Sequence, residues 1–282
     1  MTPDRAIDGA PTLHWSGVSD RGRIRPNNED SFLGLQFDAR EVHRLGKHGS
    51  GTLANTDYVF AVSDGMGGAL AGEYASKIAV EKITTLLPRA FKLSAQGLAS
   101  GFSDVLTELY DQIHRAIVFL GNSYEECSGM ETTLSLCWFT PGWMYFAHVG
   151  DSRIYSLPAK EDRFKQLSQD DTYVGWLFRN GKINEYQART HPQRNVLQKA
   201  LGGGNRYVEP QVGAVGYEPG DLFLICSDGL VDGLFDERVA EMLRAQRDAG
   251  EKSFAGSARQ LVDAALDGGS RDNTTALVIR AT

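Results

Sequence analysis

Four aspartates stand at joints between apolar runs and nearly bare backbone. "VFAVSDGMGG" places Asp64 at the end of one run, "FAHVGDSR" places Asp151 and "LFLICSDG" places Asp228, while Asp272 in "SRDNTTALVI" opens a run instead of closing it. A carboxylate at a strand end costs free energy unless positive charge or several donors compensate it. A single Asp-Gly pair is an ordinary turn. Four such sites, each tied to Gly, Ser or Asn, point further. If the strand ends converge, divalent cations that prefer oxygen ligands, magnesium or manganese, are the natural compensation. The six histidines are scattered, so a zinc-type set is not indicated. Gly65 then acquires a role, because a carbonyl without a neighbouring Cβ can approach a metal closely.

A second constellation lies in "RIRPNNEDSF", where Arg25 precedes Glu29 by four residues and Asp30 by five. Arginine suits bidentate phosphate recognition, and the adjacent acids suit a metal shell. Two metals side by side activate water for in-line displacement at phosphorus. That chemistry is phosphoester hydrolysis without a covalent enzyme intermediate, with Arg25, Asp64 and Asp228 as its central residues. No G-x-S-x-G elbow is present and no cysteine sits in a Gly/Arg phosphate loop, which argues against Ser or Cys nucleophiles.

The elements that must position these residues follow from periodicity. "LHWSGVSD" and "DSFLGLQF" read as strands around a turn, and residues 38–56 read as a long surface loop. "ALAGEYASKIAVEKITTLL" and residues 95–120, with Val105, Leu109, Ile113 and Ile117 in step, read as core-facing helices. Residues 132–157 read as three short strands and 170–206 as a polar excursion with short helices. A strand at 221–227, helices near 236–247 and 253–267 and a strand at 274–280 complete the order. Hairpin-length joints favour antiparallel pairing. The expected fold is α+β, two packed antiparallel sheets with helices on their outer faces. No linker or repeat is visible, so residues 13–282 read as one domain behind a loose tail of residues 1–12.

Apolar residues make up 41% of the 282, enough for a real core, and the net charge of −7 argues against nucleic-acid or anionic-membrane partners. Cys127, Cys137 and Cys226 read as reduced small hydrophobes. The start shows no signal-peptide pattern and no run suits a membrane helix, so a cytoplasmic protein is expected.

In this order, "RIRPNNEDSF", "VFAVSDGMGG", "FAHVGDSRIY", "LICSDGLVDGL" and "SRDNTTALVI" resemble the metal-dependent protein phosphatase family, the protein phosphatase 2C type, in its bacterial form. The matches run from residue 15 to 280. The resemblance implies a four-layer α-β-β-α sandwich with a binuclear manganese or magnesium centre at one end. It implies a first metal held by Asp64, Asp228 and Asp272, and a second by Asp64, the Gly65 carbonyl and the Glu29/Asp30 pair, either of which could ligate directly. A third metal in bacterial members would sit at Asp151 and Asp228, and Arg25 would hold the substrate phosphate. Residues 168–206 resemble the family's flap, thought to influence substrate choice. The implied activity is that of a Ser/Thr phosphoprotein phosphatase, monomeric, acting on phosphorylated proteins and opposing a Ser/Thr kinase.

Three departures stand out. Met66 occupies the place of a histidine considered a general acid in eukaryotic members, which leaves the proton donor open, as bacterial members do. "METT" puts Glu131 where a glycine is usual, and altered packing without lost chemistry is expected. "QDDT" at 169–172 lacks the histidine of the frequent triplet. His148 and His191 are the nearest substitutes and read better as a packed and a loop-anchoring histidine. A catalytically impaired phosphoprotein-binding scaffold, a calcium-binding module and a small-molecule phosphatase are the competing readings. The first would be favoured by a missing metal aspartate, and none is missing.

Overall fold

The computed structural model describes residues 10–38, 40–95, 101–204 and 206–282. The tail expected at 1–12 thus lies almost wholly outside the described residues. The elements are β1 (Thr12–Asp20), β2 (Asp30–Phe37), β3 (Val42–Arg44), β4 (His48–Thr52), β5 (Asp57–Met66), α1 (Gly68–Ala95), α2 (Phe102–Ser123), β6 (Glu131–Thr132), β7 (Leu134–Thr140), β8 (Trp143–Val149), β9 (Arg153–Leu157), β10 (Lys165–Gln166), α3 (Tyr173–Arg179), α4 (Glu185–Thr190), β11 (Leu201–Gly202), β12 (Gln211–Gly216), β13 (Leu222–Cys226), α5 (Asp228–Gly233), α6 (Asp236–Arg244), α7 (Glu251–Phe254), α8 (Ser257–Asp267) and β14 (Thr274–Ala281).

They form two antiparallel sheets. Sheet I has the order β10-β9-β13-β14-β1-β4. Sheet II runs β11-β6-β5-β7-β8-β12, with β2 on the free side of β5 and β3 beyond it. Strand alternation sorts the side chains into three apolar layers. Along β5, Tyr58, Phe60 and Val62 point between the sheets, whereas Val59 and Ala61 point at α1 and α2. Along β14, Leu277 and Ile279 join the middle layer, and Ala276 and Val278 face α5 to α8. Aromatic edges lock the middle layer: Phe139 packs on Phe223 at 5.3 Å and on Phe60 at 5.9 Å, centroid to centroid. The helices meet their sheets through stripes of the expected period, with Val105, Leu109, Ile113 and Ile117 of α2 all buried. The result is the α-β-β-α sandwich.

Several short elements were not anticipated. The loop expected at 38–56 contributes β3 and β4, which pair with β2 and β1 through backbone while their side chains stay largely exposed, so no apolar period announces them. Between the flap and β13 lies β12, the half-covered edge of sheet II. The helix α5 begins at Asp228 itself. No described helix is long and apolar enough to cross a membrane.

Candidate metal centre

Register brings the acids to one end of the sandwich. Asp30, first in β2, pairs directly with Asp64 near the end of β5. In sheet I, Cys226 ends β13 between Arg153 at the start of β9 and Ala276 near the start of β14. Antiparallel pairing therefore places Asp151, Asp228 and Asp272, each just beyond a strand end, on that same edge. Side chains then stitch the sheets together. Ser227 Oγ and Thr275 Oγ1, from sheet I, donate to Asp30 Oδ2 of sheet II at 2.7 and 2.6 Å.

The electrostatics follow from this crowding. Burial, then the neighbouring carboxylates of Asp30, Asp228, Asp151 and Asp272, hold Asp64 well above the usual carboxylate range. Asp228 is raised likewise by burial and by Asp151, Asp232, Asp272 and Asp30. Burial pushes Asp30 up to about 6 against the pull of its two hydroxyl donors, and Asp151 up to about 7 with Asp170 adding to the effect. Glu29 is also raised by burial, and its charged neighbours are Arg25, Asp272 and Glu73. The acidic pair is thus divided: Asp30 faces Asp64, and Glu29 lies on the Arg25 side.

Arg25 belongs to the turn between β1 and β2, and that turn is pinned to Asp272. Gly22 is at φ +77°, and a β-carbon there would lie 2.4 Å from the Asp272 carbonyl, so only glycine permits the approach. Asn273 Nδ2 donates to the carbonyls of Arg21 and Asn27, while its Oδ1 accepts from Glu29 N–H. Arg25 Nη2 donates to Asp272 Oδ2 at 2.5 Å, and this contact, ahead of its other acidic neighbours, raises the guanidinium's proton affinity.

At Gly65 the bareness has a packing cause. A β-carbon would lie 1.9 Å from the Gly72 carbonyl oxygen, and one on Gly72 would lie 2.9 Å from Gly65 O. The two glycines let α1 cross tightly over the end of β5, with Gly65 N–H donating to the Glu29 carbonyl.

A cavity of about 400 Å³ continues from Asp151 and Asp228 beneath α3 and α4 of the flap. Asp170 and Asp232 also line it, and neither was singled out from the sequence. Asp232 follows Asp228 by four residues, one turn along α5, a spacing visible in "SDGLVDG". Asp170, from "QDDT", accepts a bidentate pair from Arg153, with Nη2 at 2.7 Å. The other departures resolve simply. Glu131 lies against Gly203, where a β-carbon would collide with its carboxylate. His148 is buried between Ser135 Oγ (2.8 Å) and the Gly150 carbonyl (3.0 Å), and burial lowers its proton affinity. His191 ends α4 and accepts from Gln193 N–H.

This donor set fits hard divalent cations. Asp30 Oδ1 and Asp228 Oδ1 are buried without a hydrogen-bond partner, an arrangement that costs free energy unless something else satisfies them. Every candidate is an oxygen donor, and the crowded carboxylates raise the proton affinity of Asp64 and Asp228, which a cation would reverse. Among the described residues no group of three or more His, Cys, Asp or Glu side chains is already arranged to hold a metal ion.

Known proteins bear on this geometry. The chain is 33% identical over 270 residues to the serine/threonine protein phosphatase PstP of Mycobacterium tuberculosis, covering 94% of itself and 44% of PstP. It thus spans less than half of that relative's length. It is 32% identical to the serine/threonine phosphatase stp of Listeria innocua, covering 95% of both. A crystal structure of the PstP catalytic domain in complex with 2 manganese ions superimposes with a TM-score of 0.74 at 30% identity, over 96% of this chain and 99% of that one. The family model for protein phosphatase 2C matches residues 44–266. With that span and those likenesses, the chain belongs to the protein phosphatase 2C family.

Proposed function

We propose that this protein is a metal-dependent Ser/Thr phosphoprotein phosphatase, with residues 13–282 as one catalytic domain and 168–206 as its flap. The observation that carries the reading is the meeting of Asp30, Asp64, Asp151, Asp228 and Asp272 at one sandwich end with two buried carboxylate oxygens unpartnered. Asp64, Asp228 and Asp272 would hold one ion, and Asp64, the Gly65 carbonyl and Glu29 or Asp30 a second. Asp151 with Asp228 would hold a third. When bound, the ions supply an activated water and neutralise charge developing at phosphorus.

The chain's own residues divide the remaining work. Arg25, half exposed beside Asp272, offers a fork of donors to the non-bridging phosphate oxygens. Ser227 and Thr275 fix the Asp30 carboxylate through Oδ2 and leave Oδ1 without a hydrogen-bond partner. The turn pinned by Asn273 keeps Arg25 and Glu29 at the rim. The flap cavity accepts groups beside the phosphorylated residue. A phosphorylated protein would be the substrate, a Ser/Thr kinase the opposing activity, and a cytoplasmic monomer the working form.

The test is hydrolysis of phosphopeptides, sugar phosphates and nucleotides with manganese and with EDTA. Manganese-dependent turnover that favours phosphopeptides supports the reading. Preference for small phosphates would reassign the substrate class, and full turnover in EDTA would remove the metal centre.

A further inference from the structure

The flap helix α4 has no buried residue of its own. At six residues it is too short to persist on intrinsic propensity, and Tyr186, its one aromatic, is 70% exposed. Something other than an apolar face docks it.

That anchor is Arg189. Its side chain is only 20% exposed and reaches out of α4 to the C-terminal end of α5. Nη1 donates to the Val231 carbonyl at 2.7 Å, and Nη2 donates to the carbonyls of Val231 and Leu234. The guanidinium also covers the Phe235 ring, 4.0 Å from its centroid. The last carbonyls of a helix lack intrahelical partners and carry the negative end of its dipole, so a cation is favoured there. The stacked, forked geometry requires arginine; lysine offers a single point of charge.

The placement matters because of what α5 carries at its other end. Asp228 is its first residue and Asp232 lies one turn on, and both line the cavity together with Glu185, Ala188 and Arg189 of α4. Arg189 therefore joins the flap wall of the cavity to the helix that bears its carboxylates, with the longer Arg194–Asp232 ion pair, 4.0 Å, beside it. We propose that Arg189 is a positioning residue, a latch that holds the flap against α5 and so keeps the cavity wall in place beside Asp228 and Asp232. The consequence for turnover rests on the phosphatase reading above; the latch itself does not.

Hydrogen–deuterium exchange on the manganese-supplemented full chain tests the latch. In Arg189→Ala, peptides covering 182–200 should exchange at least about tenfold faster, with peptides of β5, β13 and β14 unchanged. Arg189→Lys, which keeps charge and loses the fork, should fall between, and it also serves if the alanine variant does not fold. In steady-state kinetics KM for a phosphopeptide should rise more than kcat falls, with partial rescue by lysine. Unchanged flap exchange in the alanine variant would overturn the proposal, as would uniform acceleration across the whole molecule, which marks a merely structural arginine. A wild-type protein without phosphatase turnover would count against the function and leave the exchange result to judge the latch.

Discussion

Arg25 and Asp272 form an ion pair across the two ends of the chain, Nη2 to Oδ2 at 2.5 Å. One is the candidate grip on phosphate, the other a candidate metal carboxylate, and each is the other's nearest charged partner. Arg25→Ala should therefore lower kcat/KM by roughly 10- to 150-fold, the equivalent of about 1.5–3 kcal/mol for a charge-assisted contact. Manganese affinity should stay the same or rise, since Asp272 loses a competing cation. Kinetics and a manganese titration on one preparation check this. Normal kinetics with a lowered melting temperature would make Arg25 a turn anchor only.

The aspartates should rank by how many ions of the central pair each would hold: Asp64 both, Asp228 one and Asp151 neither. Asp64 is pressed by four other carboxylates. Asp64→Asn should weaken manganese binding by more than about 100-fold, beyond the 10–100-fold typical of losing a supporting hydrogen bond. Asp228→Asn should follow, and Asp151→Asn should leave two ions bound. Calorimetric titration gives the order, and an Asp64→Asn protein that binds like the parent would break it.

Thiol reagents should not affect turnover. Cys137 and Cys226 are fully buried and burial raises both thiols, while Cys127 is partly buried against the core beside α2. Rapid inactivation by iodoacetamide in the folded state would contradict this assignment.

Away from the site, Asp57 predicts a pH effect on stability. Burial pushes its carboxyl up to about 6 from 3.8, against the hydrogen bond it accepts from Trp138 Nε1 at 2.9 Å. A raised carboxyl binds its proton more tightly in the fold, so its contribution is complete below about pH 4 and is lost as pH rises through about 6. Asp57→Asn keeps an acceptor for Trp138 and removes the buried charge. Its melting temperature should exceed the parent's at pH 8, by an amount reflecting about 1–3 kcal/mol, and match it at pH 4. An equal difference at both pH values would dismiss the ionisation.

Gly65→Ala should destabilise by about 1–3 kcal/mol or more, because its β-carbon would land on the backbone of Gly72 and not on a flexible tip. Gly250→Ala, whose β-carbon would meet nothing within 4 Å, is the control. Thermal melts of both decide whether the bare stretch is there for packing.

The sequence made the long strands and helices readable because each buries a face, and burial leaves a period. The edges were not readable for the same reason. The strand β4 buries little in "HGSGT", and β12 leaves "QVGAVG" half covered. The helix α5 was hidden by its two glycines and its length, and with it Asp232. The acids were visible because each interrupts an apolar run. Their meeting came only with the family resemblance, since it depends on the register between β2 and β5 and on hydroxyls of Ser227 and Thr275 reaching across sheets. Arg189 left no trace, because its partners are carbonyls, which every residue has.

Asp151 sits where the chain leaves β8 of sheet II for β9 of sheet I, while Asp30 and Asp64 belong to one sheet and Asp228 and Asp272 to the other. The acidic end therefore works as a vernier between two plates. A slide of one plate by a fraction of a residue would misalign every carboxylate at once, even with each sheet intact. The rings of Phe60, Phe139 and Phe223 are the friction surface that prevents it. Shaving one of them should detune ion binding from the middle of the sandwich, and neither plate alone can carry half of the site's affinity.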